Sequence, residues 1–372
     1  MTDPSAPMSA AIRAALGARG RTSPNPWVGA VVVRDGRVVA TGATAPYGGP
    51  HAEALALALA DARGATLYTT LEPCVAFEGK KTPPCAEAIV AAGVAKVVIA
   101  IEDPHGPVHG LGTAYLRERG IEVEVGDGAE AVTDLLRPYL KFRVTGRPYV
   151  IAKFAVSLDG KVGAPAAAVR WLTSEAARER AHHDRAWVDA LMVGSGTVLA
   201  DDPALTARPG GIEADRQPVR IVLDGRGQSP ADARVFGQGT LVATSTSNRE
   251  WRAAIAATGA TVLELESGES GGVNLEQLLR VLGQRNVVSL IAEGGPTLLQ
   301  SLFETERVDE VHAYVAPLLL GEAGLPLFPD GGRFDPTTLR NVVVEPLHPD
   351  VLFRGYTGTW SPERAEEAPH GT

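Results

Sequence analysis

Both cysteines of this 372-residue chain follow a proline, as Pro73-Cys74 and Pro84-Cys85, and a histidine opens the triplet His51-Ala52-Glu53 upstream of them. One imidazole and two thiolates suffice to hold a zinc ion while leaving its fourth position open to water. Three separated segments must then converge on one point, which restricts the fold around them. Glu53, two residues after the histidine, is placed to move protons rather than to bind metal. The set points to hydrolytic deamination of a nucleobase-like ring, with zinc making hydroxide available near neutral pH. A helix N-terminus favours a thiolate, and Cys85 stands at the start of an expected helix.

The composition narrows the setting. A net charge of −9 argues against a nucleic-acid duplex as partner, because phosphate binding needs a basic surface. Thiols that bind metal must stay reduced, so a cytoplasmic location is expected. No stretch reaches the roughly 18 consecutive apolar residues of a membrane span, and the first residues lack the pattern of a secretory signal. The length allows roughly two domains.

Along the first half, a helix is expected over Met8–Arg19, and a hairpin turning at Asp35-Gly36. Further helices are expected over His51–Arg63 and Pro84–Ala92, strands over Thr66–Leu71 and Lys96–Ile101, and a helix-strand pair over Tyr115–Val125. This describes an α/β unit with helices on both faces of one sheet. The pattern restarts after Thr145-Gly146-Arg147-Pro148. Residues 1–146 and 147–360 are therefore expected as two domains, with 361–372 a loose tail. In the second half, strands are expected at 149–154, 190–193, 219–223, 240–243, 261–265, 287–292 and 311–315, and helices at 174–182, 274–283 and 297–304.

Gly294-Gly295-Pro296 follows an apolar strand and precedes a helix, a turn that can offer backbone N–H groups to a phosphate. Gly194-Ser195-Gly196 is part of a dinucleotide fingerprint without its third glycine. From residues alone the second half reads as a nucleotide-binding α/β domain, with oxidoreductase chemistry one option.

Taken together, these motifs resemble the bifunctional deaminase–reductases of riboflavin biosynthesis. The stretches that carry the resemblance are 21–30 (RTSPNPWVGA), His51-Ala52-Glu53, 70–74 (TLEPC) and 82–85 (TPPC), then Lys153, 157–160 (SLDG), 171–174 (WLTS), 197–203 (TVLADDP) and 293–298 (EGGPTL). The resemblance implies a cytidine-deaminase-like three-layer α/β domain followed by a dihydrofolate-reductase-like α/β domain. It implies zinc on His51, Cys74 and Cys85, with Glu53 as proton carrier, and Asn25, Lys81 and Asp103 as contacts to the deaminase substrate. It implies NADPH against Ala155, Trp171, Thr197, Asp201 and Gly295. The second substrate would lie against Lys153, Thr173, Arg185, Leu205, Arg208 and Glu293. The substrate implied is a phosphorylated diaminopyrimidine and the assembly a homo-oligomer.

The chain departs from the family at Gly42-Ala43-Thr44, where the family commonly has Gly-Tyr-His, and at Asp103-Pro104-His105 in place of Asp-Pro-Asn. Its 75–81 loop is two residues longer, with Ala76 where a histidine is usual, and Val169 replaces a serine. These changes motivate an alternative: a paralogue using the same two chemistries on another amino-heterocycle. A scaffold that has lost activity is a third option, opposed by the intact Glu53.

Overall fold

The computed structural model describes residues 3–362 except 79, 81, 164–170, 269–270, 323 and 330–331. The chain forms two compact units, Met1–Gly146 and Arg147–Ser361.

In the first unit, helix α1 spans Ala6–Ala18, and strands β1 (Gly29–Arg34) and β2 (Arg37–Ala43) form an antiparallel hairpin. Asp35 and Gly36 turn it with φ of 50° and 71°, the left-handed pair that matches strand twist. Helix α2 (Ala52–Leu59), β3 (Thr66–Leu71), α3 (Cys85–Ala91), β4 (Lys96–Ile101), α4 (Leu111–Glu118), β5 (Glu122–Val125) and α5 (Ala129–Thr145) follow. The sheet order is β2-β1-β3-β4-β5, with β3, β4 and β5 parallel and β1 antiparallel to both neighbours. Val31, Leu67, Val97, Ile99 and Leu136 are fully buried, each worth roughly 1.5–3 kcal/mol in apolar burial.

Two elements differ from expectation here. The helix starting at His51 ends at Leu59 rather than running to Arg63, because the Asp61 carboxylate accepts from the Arg63 N–H at 3.1 Å and draws the backbone into a turn. Helix α5 has no counterpart among the expected elements. Pro138 lies inside it, where a missing N–H ordinarily disfavours a helix, yet its buried face (Val132, Leu136, Tyr139, Leu140) outweighs that cost.

The second unit holds β6 (Tyr149–Ser157), β7 (Lys161–Gly163), α6 (Glu175–Trp187), β8 (Ala190–Gly194), α7 (Ser195–Asp201), β9 (Val219–Leu223), β10 (Thr240–Thr244) and α8 (Arg249–Ala257). It continues with β11 (Thr261–Glu264), α9 (Leu275–Gln284), β12 (Ser289–Ala292), α10 (Pro296–Glu304), β13 (Glu310–Ala316), β14 (Leu325–Pro326), β15 (Arg340–Leu347) and β16 (Asp350–Tyr356). Nine strands form one sheet in the order β11-β10-β9-β8-β12-β6-β13-β16-β15. The first seven are parallel, and β16 and β15 close the edge antiparallel. The apolar face of α9 (Leu275, Leu278, Leu279, Leu282) packs with Val150, Met192 and Leu290 of the sheet.

Strand β12 is the late arrival, inserted between β8 and β6. The strand order reverses there, and a crevice at the carboxyl ends of such strands is where open α/β sheets take ligands. The β15–β16 hairpin was not expected from sequence; Val342, Val343 and Val344 are all about half exposed and show no alternation. Among the described residues no helix is long and apolar enough to cross a membrane.

Candidate active sites

In the first unit, helix starts bring the sulfur and nitrogen donors together. His51 caps α2 in an extended conformation, and Glu53 lies in that helix's first turn. Gly42 permits this placement: a Cβ there would stand 2.2 Å from the Ala52 carbonyl oxygen, so only glycine lets α2 begin against β2. Cys85 is the first residue of α3, and its N–H points at Cys74 Sγ across 3.4 Å.

The three donor atoms lie within 4.8 Å of one another. His51 Nδ1 is 3.5 Å from Cys74 Sγ and 3.4 Å from Cys85 Sγ. Tetrahedral zinc with ordinary Zn–N and Zn–S bonds needs about 3.6 Å between such atoms, so the donor set suits that ion. Electrostatics agree. The Cys85 thiol and the His51 ring, both hydrogen-bonded to Cys74, lower its pKa to about 3, while the same pairing and burial push Cys85 up. Glu53 is buried, and desolvation, reinforced by the Cys74 charge, raises its pKa to about 7. A carboxyl poised near neutrality can both take and give a proton.

The expected substrate contacts of this unit fall in three environments. Among the described residues the half-buried Asn25 amide has no hydrogen-bond partner. Asp103 is buried, its carboxylate accepting from the Tyr139 hydroxyl at 3.1 Å to each oxygen and from the His105 N–H at 3.0 Å; burial raises its pKa to about 6. Lys81, like Val169 and the tail from residue 363 onward, lies outside the described residues. Thr44, at one departure, is buried and occupied by backbone, accepting from the Val28 N–H at 3.0 Å and donating to its carbonyl at 3.3 Å.

Some relevant groups had no role assigned from sequence. Thr82 Oγ1 lies 3.2 Å from His51 Nε2 and 3.1 Å from Lys80 Nζ. The Phe77 ring, under the Lys80 ammonium, meets His105 edge to face at 5.6 Å. Two of the departures, the 75–81 loop and His105, are thus in contact. The Glu72 carboxylate accepts from the N–H groups of Asp103, Gly110 and Thr113 at 3.2, 2.9 and 2.9 Å, clamping that loop beside Cys74. Apart from the local contacts of Lys80 with Thr82 and Phe77, only tertiary proximity reveals these links, since the other partners are far apart in sequence.

The second unit contains a cleft of about 2560 Å³ at the carboxyl ends of β8, β12 and β6. All eleven reductase positions expected from sequence line it. Lys153 and Ala155 come from β6, Trp171 and Thr173 from the approach to α6, and Arg185 from α6 itself. Thr197 and Asp201 come from α7, Leu205 and Arg208 from the segment after it, and Glu293 and Gly295 from the turn after β12. The Gly295 N–H donates to Thr197 Oγ1 at 3.1 Å, tying the two glycine turns together. Gly294 has no room for a side chain, since its Cβ would press on Leu298 at 2.6 Å. Helix α10 starts without a side-chain cap; Pro296 has no N–H and the Leu298 N–H donates to the Gly295 carbonyl, which leaves the Thr297 N–H for an anion.

Charge in the cleft centres on Glu293. Arg185 holds it with Nε and Nη2 at 2.6 and 2.7 Å, and Lys153 Nζ lies at 3.5 Å. Burial opposes the charge, but Arg185 and then Lys153 overcome it and keep the pKa at about 2. Leu205 is buried at φ 49°, a left-handed conformation that turns the chain so the Thr206 carbonyl accepts from Arg185 Nη1 at 3.1 Å. The Arg208 guanidinium reaches the Thr206 hydroxyl and His182. Trp171 is 60% exposed, with the Arg178 guanidinium 5.1 Å from its ring centroid.

Comparison with known proteins covers both units. Residues 1–101 match the cytidine and deoxycytidylate deaminase zinc-binding region, and 148–353 match the RibD C-terminal domain. The riboflavin biosynthesis protein RibD of Bacillus amyloliquefaciens is 38% identical, over 92% of this chain and 94% of its own. RibD of Mycobacterium tuberculosis is 41% identical over 84% and 85%. The solved structure of Acinetobacter baumannii RibD superposes with a TM-score of 0.84 at 36% identity, covering 94% of this chain and 97% of that one. A Thermotoga maritima diaminohydroxyphosphoribosylaminopyrimidine deaminase/5-amino-6-(5-phosphoribosylamino)uracil reductase does so at 0.82 and 34%, with the same coverage. The cytidine-deaminase-like zinc-binding domain and the dihydrofolate-reductase-like domain expected from the motifs are both present. The chain belongs to the RibD family of bifunctional deaminase/reductases of riboflavin biosynthesis.

Proposed function

We propose that the first unit deaminates 2,5-diamino-6-ribosylamino-4(3H)-pyrimidinone 5′-phosphate and that the second reduces the ribosyl group of the product to ribityl with NADPH. The observation that carries the deaminase assignment is the buried Glu53 beside the His51, Cys74 and Cys85 donors. Zinc bound there supplies the Lewis acidity that makes a water nucleophilic near neutral pH. Glu53 takes the proton released as water adds to the amine-bearing ring carbon. It then gives a proton to the amine, so that the C–N bond breaks and ammonia leaves. Asn25, with its free amide, Lys81 and Asp103, whose carboxylate is held by Tyr139 and its own loop, are assigned to the substrate.

In the second unit, the Gly295 turn, Thr197, Asp201, Ala155 and Trp171 hold the nicotinamide cofactor, supported by their common cleft and the uncapped α10. The assignment of NADPH rather than NADH follows the family. Arg208, with Arg185, Lys153, Thr173, Leu205 and Glu293, contacts the sugar phosphate; a guanidinium offers paired donors to phosphate oxygens. A homo-oligomer in the cytoplasm completes the proposal, in keeping with the family and with a thiol pair that must stay reduced.

The deciding experiment supplies the pyrimidine phosphate to zinc-loaded protein and follows ammonia and NADPH oxidation separately. Glu53→Gln is expected to abolish ammonia release and to leave oxidation of NADPH by pre-deaminated substrate intact. Unchanged ammonia release would remove Glu53 from the mechanism. A second reading, another amino-heterocycle as deaminase substrate, is favoured by the Phe77–His105 contact. Steady turnover of the riboflavin-pathway pyrimidine would eliminate it.

A further inference from the structure

The two ring nitrogens of His51 face different partners. Nδ1 lies between the thiols at 3.5 and 3.4 Å, whereas Nε2 lies 3.2 Å from Thr82 Oγ1. A neutral imidazole carries one proton, and the nitrogen that binds a metal must be the one without it. With Nδ1 as ligand, the proton sits on Nε2 and His51 donates to Thr82.

Thr82 has a hydroxyl that could also act in the opposite sense. By donating to Nε2 it would stabilise the tautomer with its proton on Nδ1, which cannot bind metal through Nδ1. Lys80 acts against that arrangement. Its Nζ is 3.1 Å from the same oxygen, and an ammonium only donates. The hydroxyl oxygen has two lone pairs, and Lys80 and His51 together fill both. The Thr82 proton is left to point elsewhere.

We infer that Thr82 is a positioning residue for His51, and that Lys80 locks its hydroxyl as an acceptor, so that the ring is held in its metal-binding tautomer. Lys80 belongs to the loop that joins the two cysteines. Lys80 thereby supports a metal ligand from outside the donor set. Outer-shell partners of ligating histidines commonly matter at this level, their loss weakening metal binding about 10–100-fold.

The inference rests on His51 being a zinc ligand, and zinc affinity tests the two separately. The full chain, stripped of metal, is titrated with zinc against a chromophoric chelator, with circular dichroism recording the fold. Thr82→Val keeps the shape but not the acceptor, and is expected to weaken zinc binding by about 10-fold or more. Thr82→Ser is expected to restore wild-type affinity, and Lys80→Met to give a smaller loss than Thr82→Val. A wild-type chain that fails to take up one zinc at this site would overturn the ligand assignment itself. Folded Thr82→Val with wild-type affinity would overturn the inference. Should Thr82→Val not fold, wild-type affinity in Lys80→Met, or weakened affinity in Thr82→Ser, would do the same.

Discussion

Replacing Glu293 by glutamine tests whether the centre of the reductase cleft is held by charge. Two guanidinium nitrogens of Arg185 and the ammonium of Lys153 surround the carboxylate, whose side chain is 9% exposed. Its pKa of about 2, against an ordinary 4.5, corresponds to a preference for the ionised form of about 3 kcal/mol. Neutralising it leaves Arg185 buried beside an amide, and breaking a buried pair from one side costs about 3–5 kcal/mol. Glu293→Gln is therefore expected to destabilise the second unit by about 3 kcal/mol. The same contribution is present in the wild type above pH 4.5 and is lost as pH falls toward 2, since the folded carboxylate holds its charge longer than the unfolded one. Tryptophan fluorescence during a urea titration reads this unit well, because Trp171, Trp187, Trp251 and Trp360 all belong to it and only Trp27 lies elsewhere. NADPH oxidation should fall with the substitution while ammonia release continues. A change below about 0.5 kcal/mol would refute the reasoning, by showing that Arg185 is satisfied without Glu293.

Chelation of zinc is expected to stop ammonia release while oxidation of NADPH by pre-deaminated substrate continues, both followed in one preparation. Glu72→Ala would strip the acceptor from three N–H groups and is expected to cost about 3 kcal/mol of stability, seen as a lower thermal midpoint together with reduced zinc content. His312 is buried, and although burial opposes its protonation, Glu310 and Asp184 raise its pKa to about 9 from 6.5. Its contribution of about 3 kcal/mol is complete below pH 6.5 and is lost as pH rises through 9. Urea midpoints across that range should fall in the wild type and flatten in His312→Asn.

Much of the second unit is legible because its buried parallel strands are continuous apolar runs and three of its helices carry Ser174, Asn248 or Asn274 as N-caps. The Asn248 helix nevertheless went unassigned. Strand β15 escaped for the opposite reason, its valines being exposed at a sheet edge. Helix α5 was hidden by Pro138, a residue whose local cost is overruled by burial that only the folded unit supplies. At the deaminase site, the donors were readable because metal chemistry narrows which residue types can serve and in what order. Thr82, Lys80 and Glu72 were not, because hydroxyl, ammonium and carboxylate groups occur everywhere and acquire meaning from the partner they face. The reductase positions needed the family resemblance to be picked out, after which their shared cleft made them a coherent group.

The missing side chain at Gly42 has a consequence for how variants of this protein would be interpreted. Any other residue there collides with the start of the helix that His51 caps, so the strand must bend or the helix must retreat. A substitution would report itself as lost zinc and lost deamination, though the altered atom is neither donor nor substrate contact. In a mutational scan scored by activity, Gly42 would rank beside the ligands, while the same scan scored by reductase turnover would leave it unmarked.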